Sequence, residues 1–123
     1  MSHVLVVEDE PFTARMIIRL LETRGVCHVA HAATVGEAMA LLDPPPDWVI
    51  LDMNLPDGTG LAVLEAIRGA DLPTRVVISS ATTDARLIAA AVAHRPDVII
   101  PKPLNPALLP VGLEADRQGG TPS

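Results

Sequence analysis

Three carboxylates and one lysine stand where apolar runs end. Glu8 and Asp9 close the run of residues 3–7, and Asp52 closes residues 48–51 within Trp48-Val49-Ile50-Leu51-Asp52-Met53-Asn54-Leu55-Pro56-Asp57-Gly58. Lys102 follows residues 98–100, between Pro101 and Pro103. If those runs are parallel strands, the four side chains gather at the carboxyl edge of one sheet, where open α/β folds place their chemistry. Hard oxygen donors with a cation beside them are the groups that hold Mg²⁺ and a phosphoryl group. Each residue also has an ordinary reading. Acids at a strand-to-helix junction are favoured by the helix dipole. A lone lysine is usually solvated. Asp57-Gly58 suits a plain turn. A hydroxyl in Ser79-Ser80-Ala81 could meet a phosphoryl oxygen or serve structure alone.

The elements that must position these groups alternate. Apolar runs at 3–7, 26–30, 48–51, 75–79 and 98–100 are largely continuous, as expected of parallel strands covered on both faces. Between the first two, residues 11–23 read as a helix: Pro11 suits its first turn, Ile17, Leu20 and Leu21 share a face, and Gly25 ends it. Thr34 with Glu37 is a capping-box pattern for a second helix that stops before Pro44-Pro45-Pro46. Residues 60–67 give a third, with Gly69 beyond its end. Thr82 or Thr83 opens a fourth running to His94, and Pro96 then forces the chain extended. Asn105-Pro106 reads as an N-cap and first helical residue, but Pro110 would fall inside that helix at a cost of ~3 kcal/mol. The last helix therefore starts later, near Leu109, or is kinked and weak. Residues of about 116–123 read as a frayed tail.

Size and composition bound the rest. A chain of 123 residues fits one domain, and a hydrophobic fraction of 49% provides a core. With one Phe, one Trp and no Tyr, that core is aliphatic. A net charge of -6 without any Lys/Arg cluster argues against nonspecific binding of nucleic acid. Cys27 is the only cysteine, which excludes an intrachain disulfide and a cysteine-rich zinc site; lying in an apolar run, it reads as a small buried hydrophobe. No run approaches transmembrane length and no leader-like segment opens the chain, so a soluble, cytoplasmic protein is the expectation.

The ordered set of motifs resembles the receiver domain of two-component response regulators, over residues 4 to about 109. Glu8 and Asp9 match the family's acidic pair, and Asp52 its phosphoacceptor, with Pro56 and Gly60 at the family's spacing. Ser80, followed by Ala81, matches the hydroxyl residue, and Lys102-Pro103 the lysine with its usually cis proline bond. The resemblance implies an α/β fold, a (βα)5 doubly wound five-stranded parallel sheet in the order 2-1-3-4-5, with two helices on one face and three on the other. This chain departs from the family at three places. Ile99 stands where Tyr or Phe is usual, Arg95-Pro96 replaces a Gly-Ala pair, and Pro106 and Pro110 lie in the last helix. All three fall near the surface that the family uses for partners, so the site looks intact and the readout altered.

The resemblance implies that Asp52 takes a phosphoryl group from a phosphohistidine of a sensor histidine kinase or histidine phosphotransfer protein. Mg²⁺ would be held by Asp9, Asp52 and the Asn54 carbonyl, with Glu8 acting through water. Lys102 and Ser80 would contact phosphoryl oxygens, and Asn54 and Thr82 would tune the lifetime of the acyl phosphate. Signalling would then pass to a downstream protein by contact, with readout through the loop after Ser80 and little rearrangement at Ile99. The competing reading is a receiver-like interaction module with a vestigial site, which Ile99 and the prolines favour and the retained acids and lysine oppose. A phosphatase of the haloacid-dehalogenase type would want a second aspartate where Asn54 stands, and its nucleophile on the first strand rather than the third. A flavodoxin-like cofactor protein would want a glycine- and hydroxyl-rich loop where Glu8-Asp9-Glu10 stands.

Overall fold

The computed structural model describes residues 2–110 and Leu113. Five strands form one sheet: β1 (His3–Val7), β2 (His28–Ala32), β3 (Trp48–Asp52), β4 (Arg75–Ser80) and β5 (Val98–Pro101). Their order is β2-β1-β3-β4-β5, and every pairing is parallel. Four helices connect them: α1 (Pro11–Thr23), α2 (Val35–Ala40), α3 (Gly60–Gly69) and α4 (Ala85–Ala93). The expected architecture and strand order are therefore present.

Side-chain alternation along each strand divides the apolar residues into two cores. Leu5, Val7, Val49, Leu51, Val76 and Ile78 face one way and pack with Ala38 of α2, Val63, Leu64 and Ile67 of α3, and Ala91 of α4. Val4, Val6, Trp48, Ile50, Val77 and Ile100 face the other way and pack with Ile17 and Leu21 of α1 and with Leu104, Leu109 and Leu113. Central β3 is buried at all five positions, which explains why it reads as an uninterrupted apolar run.

Several boundaries differ from the sequence reading. The second strand lies two residues later than expected. Val26 is spent on plugging the end of α1, where its N–H bonds to the Leu21 carbonyl at 3.0 Å. The strand that follows is an edge strand and tolerates the exposed His28 and His31. Cys27 is consequently exposed rather than buried, its thiol directed at the Gly25 carbonyl. Helix α4 opens on Asp84, whose carboxylate accepts the Arg86 and Leu87 N–H groups, and not on Thr82 or Thr83. Gly69 is the last residue of α3 rather than beyond it. Asn105 does cap and Pro106 does begin a helical turn, which among the described residues is the 3-10 turn Pro106–Leu108; a last helix starting near Leu109 would lie largely outside the described residues. The tail expected from residue 116 lies outside the described residues.

Candidate functional site

The carboxyl ends of β1, β3 and β5 bring the acids and the lysine together. Glu8 stays in the β1–β2 ladder, its N–H bonded to the Ala32 carbonyl at 2.9 Å, and its side chain is buried. The Asp52 carboxylate is buried at the end of β3. Asp9 is exposed above them, and one carboxylate oxygen from each of Glu8, Asp9 and Asp52 lies within 4.8 Å of the others. Lys102 reaches in from the end of β5: its Nζ donates to Glu8 Oε1 at 2.7 Å and stands 3.3 Å from Asp52 Oδ2. Its side chain is 21% exposed, so the ammonium is less open to solvent than an isolated lysine would be.

Burial holds the Glu8 carboxyl above the ordinary glutamate value, partly offset by the hydrogen bond from Lys102 and raised again by the charge of Asp52. Burial alone would lower the Lys102 ammonium. The hydrogen bond to Glu8 and the charges of Asp52 and Glu8 outweigh that and leave it above the ordinary lysine value. With all four groups ionised, three carboxylates against one ammonium leave a net charge of about −2, which a divalent cation would balance. The donors are hard oxygens, one exposed and two buried, so the chemistry of the set fits Mg²⁺.

The loop after β3 is built tightly. Asn54 donates its N–H to Asp52 Oδ1 at 3.3 Å, and Asn54–Leu55 pairs antiparallel with Gly58–Thr59. Gly60 N–H bonds to the Met53 carbonyl at 2.9 Å. A Cβ at Gly60 would be driven into the Asp52 carbonyl oxygen, so glycine is required for the helix to start this close to the strand that carries Asp52. Asp57 is more than a turn residue. Its carboxylate accepts the Val35 N–H at 2.7 Å and the Gly36 N–H at 3.0 Å, tying the loop to the start of α2. Those two bonds hold its carboxyl below the ordinary aspartate value.

The remaining candidates sit one step away. The Ser80 hydroxyl accepts the Thr82 N–H at 3.0 Å, and the Ser80 carbonyl accepts the Lys102 N–H at 3.0 Å. Thr82 Oγ1 accepts the Asp84 N–H at 3.1 Å, which links the end of β4 to the α4 cap. Ser80, Thr82 and Ile99 line a cavity of about 150 Å³ with Met53, Ile78, Leu87, Ile88, Ala91 and Pro101. Ile99 is 41% exposed at its mouth. The Lys102–Pro103 peptide bond is cis.

Two contributors escaped the sequence reading. Asp57 caps a helix 21 to 22 residues earlier in the chain, and no local pattern announces that. His31, on the edge strand β2, places Nε2 2.8 Å from the Glu8 carbonyl oxygen. Its only trace in the sequence is a polar residue just past the apolar run of residues 26–30.

Residues 4–113 match the family described as the response regulator receiver domain. The transcriptional regulatory protein KdpE of Mycobacterium tuberculosis is 37% identical over 105 residues, 85% of this chain and 46% of that protein. The chain thus spans about half the length of that curated relative. A CheY-like response regulator receiver domain protein from Methanospirillum hungatei superposes with a TM-score of 0.80 at 24% identity, covering 87% of this chain and 86% of the other, a likeness of fold. A LuxR-family DNA-binding response regulator from Staphylococcus aureus superposes with a TM-score of 0.79 at 26% identity, covering 86% and 90%.

Proposed function

The chain belongs to the response regulator receiver domain family, and we propose that it accepts a phosphoryl group on Asp52 from a phosphohistidine of a sensor histidine kinase or histidine phosphotransfer protein. It then signals to a downstream protein by contact. The observation that carries this reading is the Lys102 ammonium held between Glu8 and Asp52 at the edge of the sheet. A lysine placed there neutralises charge at the very position where a phosphoryl group on Asp52 would add more.

In the transfer, an Asp52 carboxylate oxygen attacks phosphorus, the P–O bond forms and the P–N bond to the donor imidazole breaks. The electron pair of that bond stays on the imidazole nitrogen, which takes a proton from solvent. Asp9 and Asp52, with the Asn54 carbonyl, would hold Mg²⁺, and Glu8 would act through water. When bound, Mg²⁺ supplies charge neutralisation to a phosphoryl group entering an anionic pocket. Lys102 exchanges part of its contact with Asp52 for a phosphoryl oxygen. The Ser80 hydroxyl leaves the Thr82 amide to bond another, and that exchange carries the signal into the loop before α4. Asn54 and Thr82 flank the acyl phosphate and set how readily water attacks it. In this reading the chain is a phosphoacceptor of cytoplasmic signalling and turns over no substrate beyond its own phosphoryl group.

The test is intact mass after incubation with acetyl phosphate and Mg²⁺. The chain gains the mass of one phosphoryl group, the gain disappears without Mg²⁺, and Asp52→Ala abolishes it. A gain that survives Asp52→Ala would sink the assignment, and no gain under any condition would favour the interaction module with a vestigial site.

A further inference from the structure

We propose that His31 is a positioning residue for the metal-binding acids, acting through the peptide that joins Glu8 to Asp9. This rests on the phosphoacceptor reading of the site, because it concerns how the same acids are aimed. A carbonyl oxygen only accepts, so the 2.8 Å contact requires the proton on His31 Nε2, with the imidazole as donor. The parallel ladder between β1 and β2 reaches the Glu8 N–H, which bonds to Ala32. Just beyond, the chain leaves the sheet: the Ala33 N–H goes to Glu37 Oε1 and Thr34 caps α2. The imidazole therefore takes over as donor to the Glu8 carbonyl where the β2 backbone departs.

That carbonyl matters because it shares a rigid plane with the Asp9 N–H. On the far side of Asp9, the turn is held by Glu10, whose Oε1 accepts the Thr13 N–H and whose own N–H bonds to Glu8 Oε2 at 3.2 Å. Asp9 lies between these two anchors. Its carboxylate has no hydrogen-bond partner among the described residues and is exposed. Nothing but the backbone aims it at Glu8 and Asp52. Fixing the Glu8–Asp9 peptide is thus the means by which this fold brings an unsupported carboxylate within 4.8 Å of two buried ones. Groups that orient metal ligands are worth ~10–100-fold in affinity when bonded to the ligand side chain itself. Acting one peptide removed, with water able to replace the lost donor, His31 is expected to contribute about 3- to 10-fold.

The experiment is a Mg²⁺ titration of the full chain followed by NMR shifts of the Asp9 and Asp52 amides. Wild type, His31→Leu and His31→Gln are compared, each with its urea midpoint. Gln places an N–H₂ donor the same number of bonds from the backbone as His Nε2. His31→Leu should weaken Mg²⁺ binding about 3- to 10-fold with a nearly unchanged urea midpoint, and His31→Gln should restore most of the affinity. Wild-type affinity in His31→Leu overturns the proposal, as does equal weakening in His31→Gln. A urea midpoint that falls in proportion to the affinity would also overturn it, by making the role structural. Failure of the wild type itself to bind Mg²⁺ would instead overturn the reading of the site on which the proposal rests.

Discussion

Replacing Gly60 by alanine tests how closely α3 is set against the strand that carries Asp52. The added Cβ would collide with the Asp52 carbonyl oxygen and lie 3.0 Å from Leu51 Cγ and 3.1 Å from the Asp52 carbonyl carbon. Two of those three atoms are backbone, so no rotamer change relieves the contact, and the start of α3 must move away from β3. Overpacking of this kind costs about 1–3 kcal/mol. The movement also stretches the 2.9 Å bond from the Gly60 N–H to the Met53 carbonyl, worth about 0.5–1.5 kcal/mol. Against this stands the better helix propensity of alanine, at most about 1 kcal/mol. The net expectation is a loss of about 2–3 kcal/mol. With an m-value of roughly 1.5 kcal/mol per molar urea, the midpoint falls by about 1.5–2 M. Gly69, at the other end of the same helix, is the control. A Cβ there meets nothing within 4 Å, so Gly69→Ala should gain about 0.5–1 kcal/mol and raise the midpoint. Because the atom the new Cβ strikes belongs to Asp52, phosphoryl uptake should slow as well, even in buffer where the variant is fully folded. Equal midpoints for Gly60→Ala and wild type, or a fall in Gly69→Ala as large as in Gly60→Ala, would refute this reasoning.

Lys102→Ala leaves two buried carboxylates without their ammonium. In the absence of Mg²⁺ it should cost roughly 2 kcal/mol, less than a fully buried pair because a fifth of the lysine is exposed. Urea melts with and without Mg²⁺ check this, and a loss that the metal does not reduce would count against shared charge balance. Asp57→Asn should destabilise the fold at neutral pH. The Asp57 carboxyl is held below its ordinary value by the α2 amides, so its contribution is full above the unfolded aspartate value, near pH 4, and is lost as pH falls through the depressed folded value. The stability gap between wild type and Asp57→Asn should therefore be flat at neutral pH and close in acid; a gap that persists to about pH 2 would refute the cap. Ile99→Phe should place a ring in the 150 Å³ cavity and raise stability by about 0.5–1 kcal/mol, with NMR shifts at Leu87 and Met53. A loss of stability without those shifts would show that the cavity does not admit the ring.

Whatever depends on local pattern could be read from the residues alone. Central strands buried on both faces must be continuous apolar runs, so β1, β3 and β4 were legible to within a residue. Strand ends followed by acids or a lysine placed Glu8, Asp9, Asp52 and Lys102 at one edge, because parallel strands share a direction. Caps formed by residues close in sequence, Thr34 with Glu37 and Asn105 with Ala107, were legible too. The errors fell where burial is one-sided or where a competing partner lies far away. Edge strand β2 carries a weak alternation, so its register and the exposure of Cys27 depended on where Val26 was needed. Threonines compete with Asp84 for the start of α4, and only the three-dimensional path of the loop from Ser80 selects the aspartate.

The long-range contacts emerge only from the packed fold: Asp57 on the α2 amides, His31 on the Glu8 carbonyl, Lys102 shared between Glu8 and Asp52, and Gly60 against the Asp52 backbone. Each joins residues on different elements, or needs a separation of a few tenths of an ångström to be known. Periodicity fixes which way a side chain faces along its own strand or helix. It carries no information about what another element, packed against it, presents at that point, and the aim of this site's charges is set by those meetings.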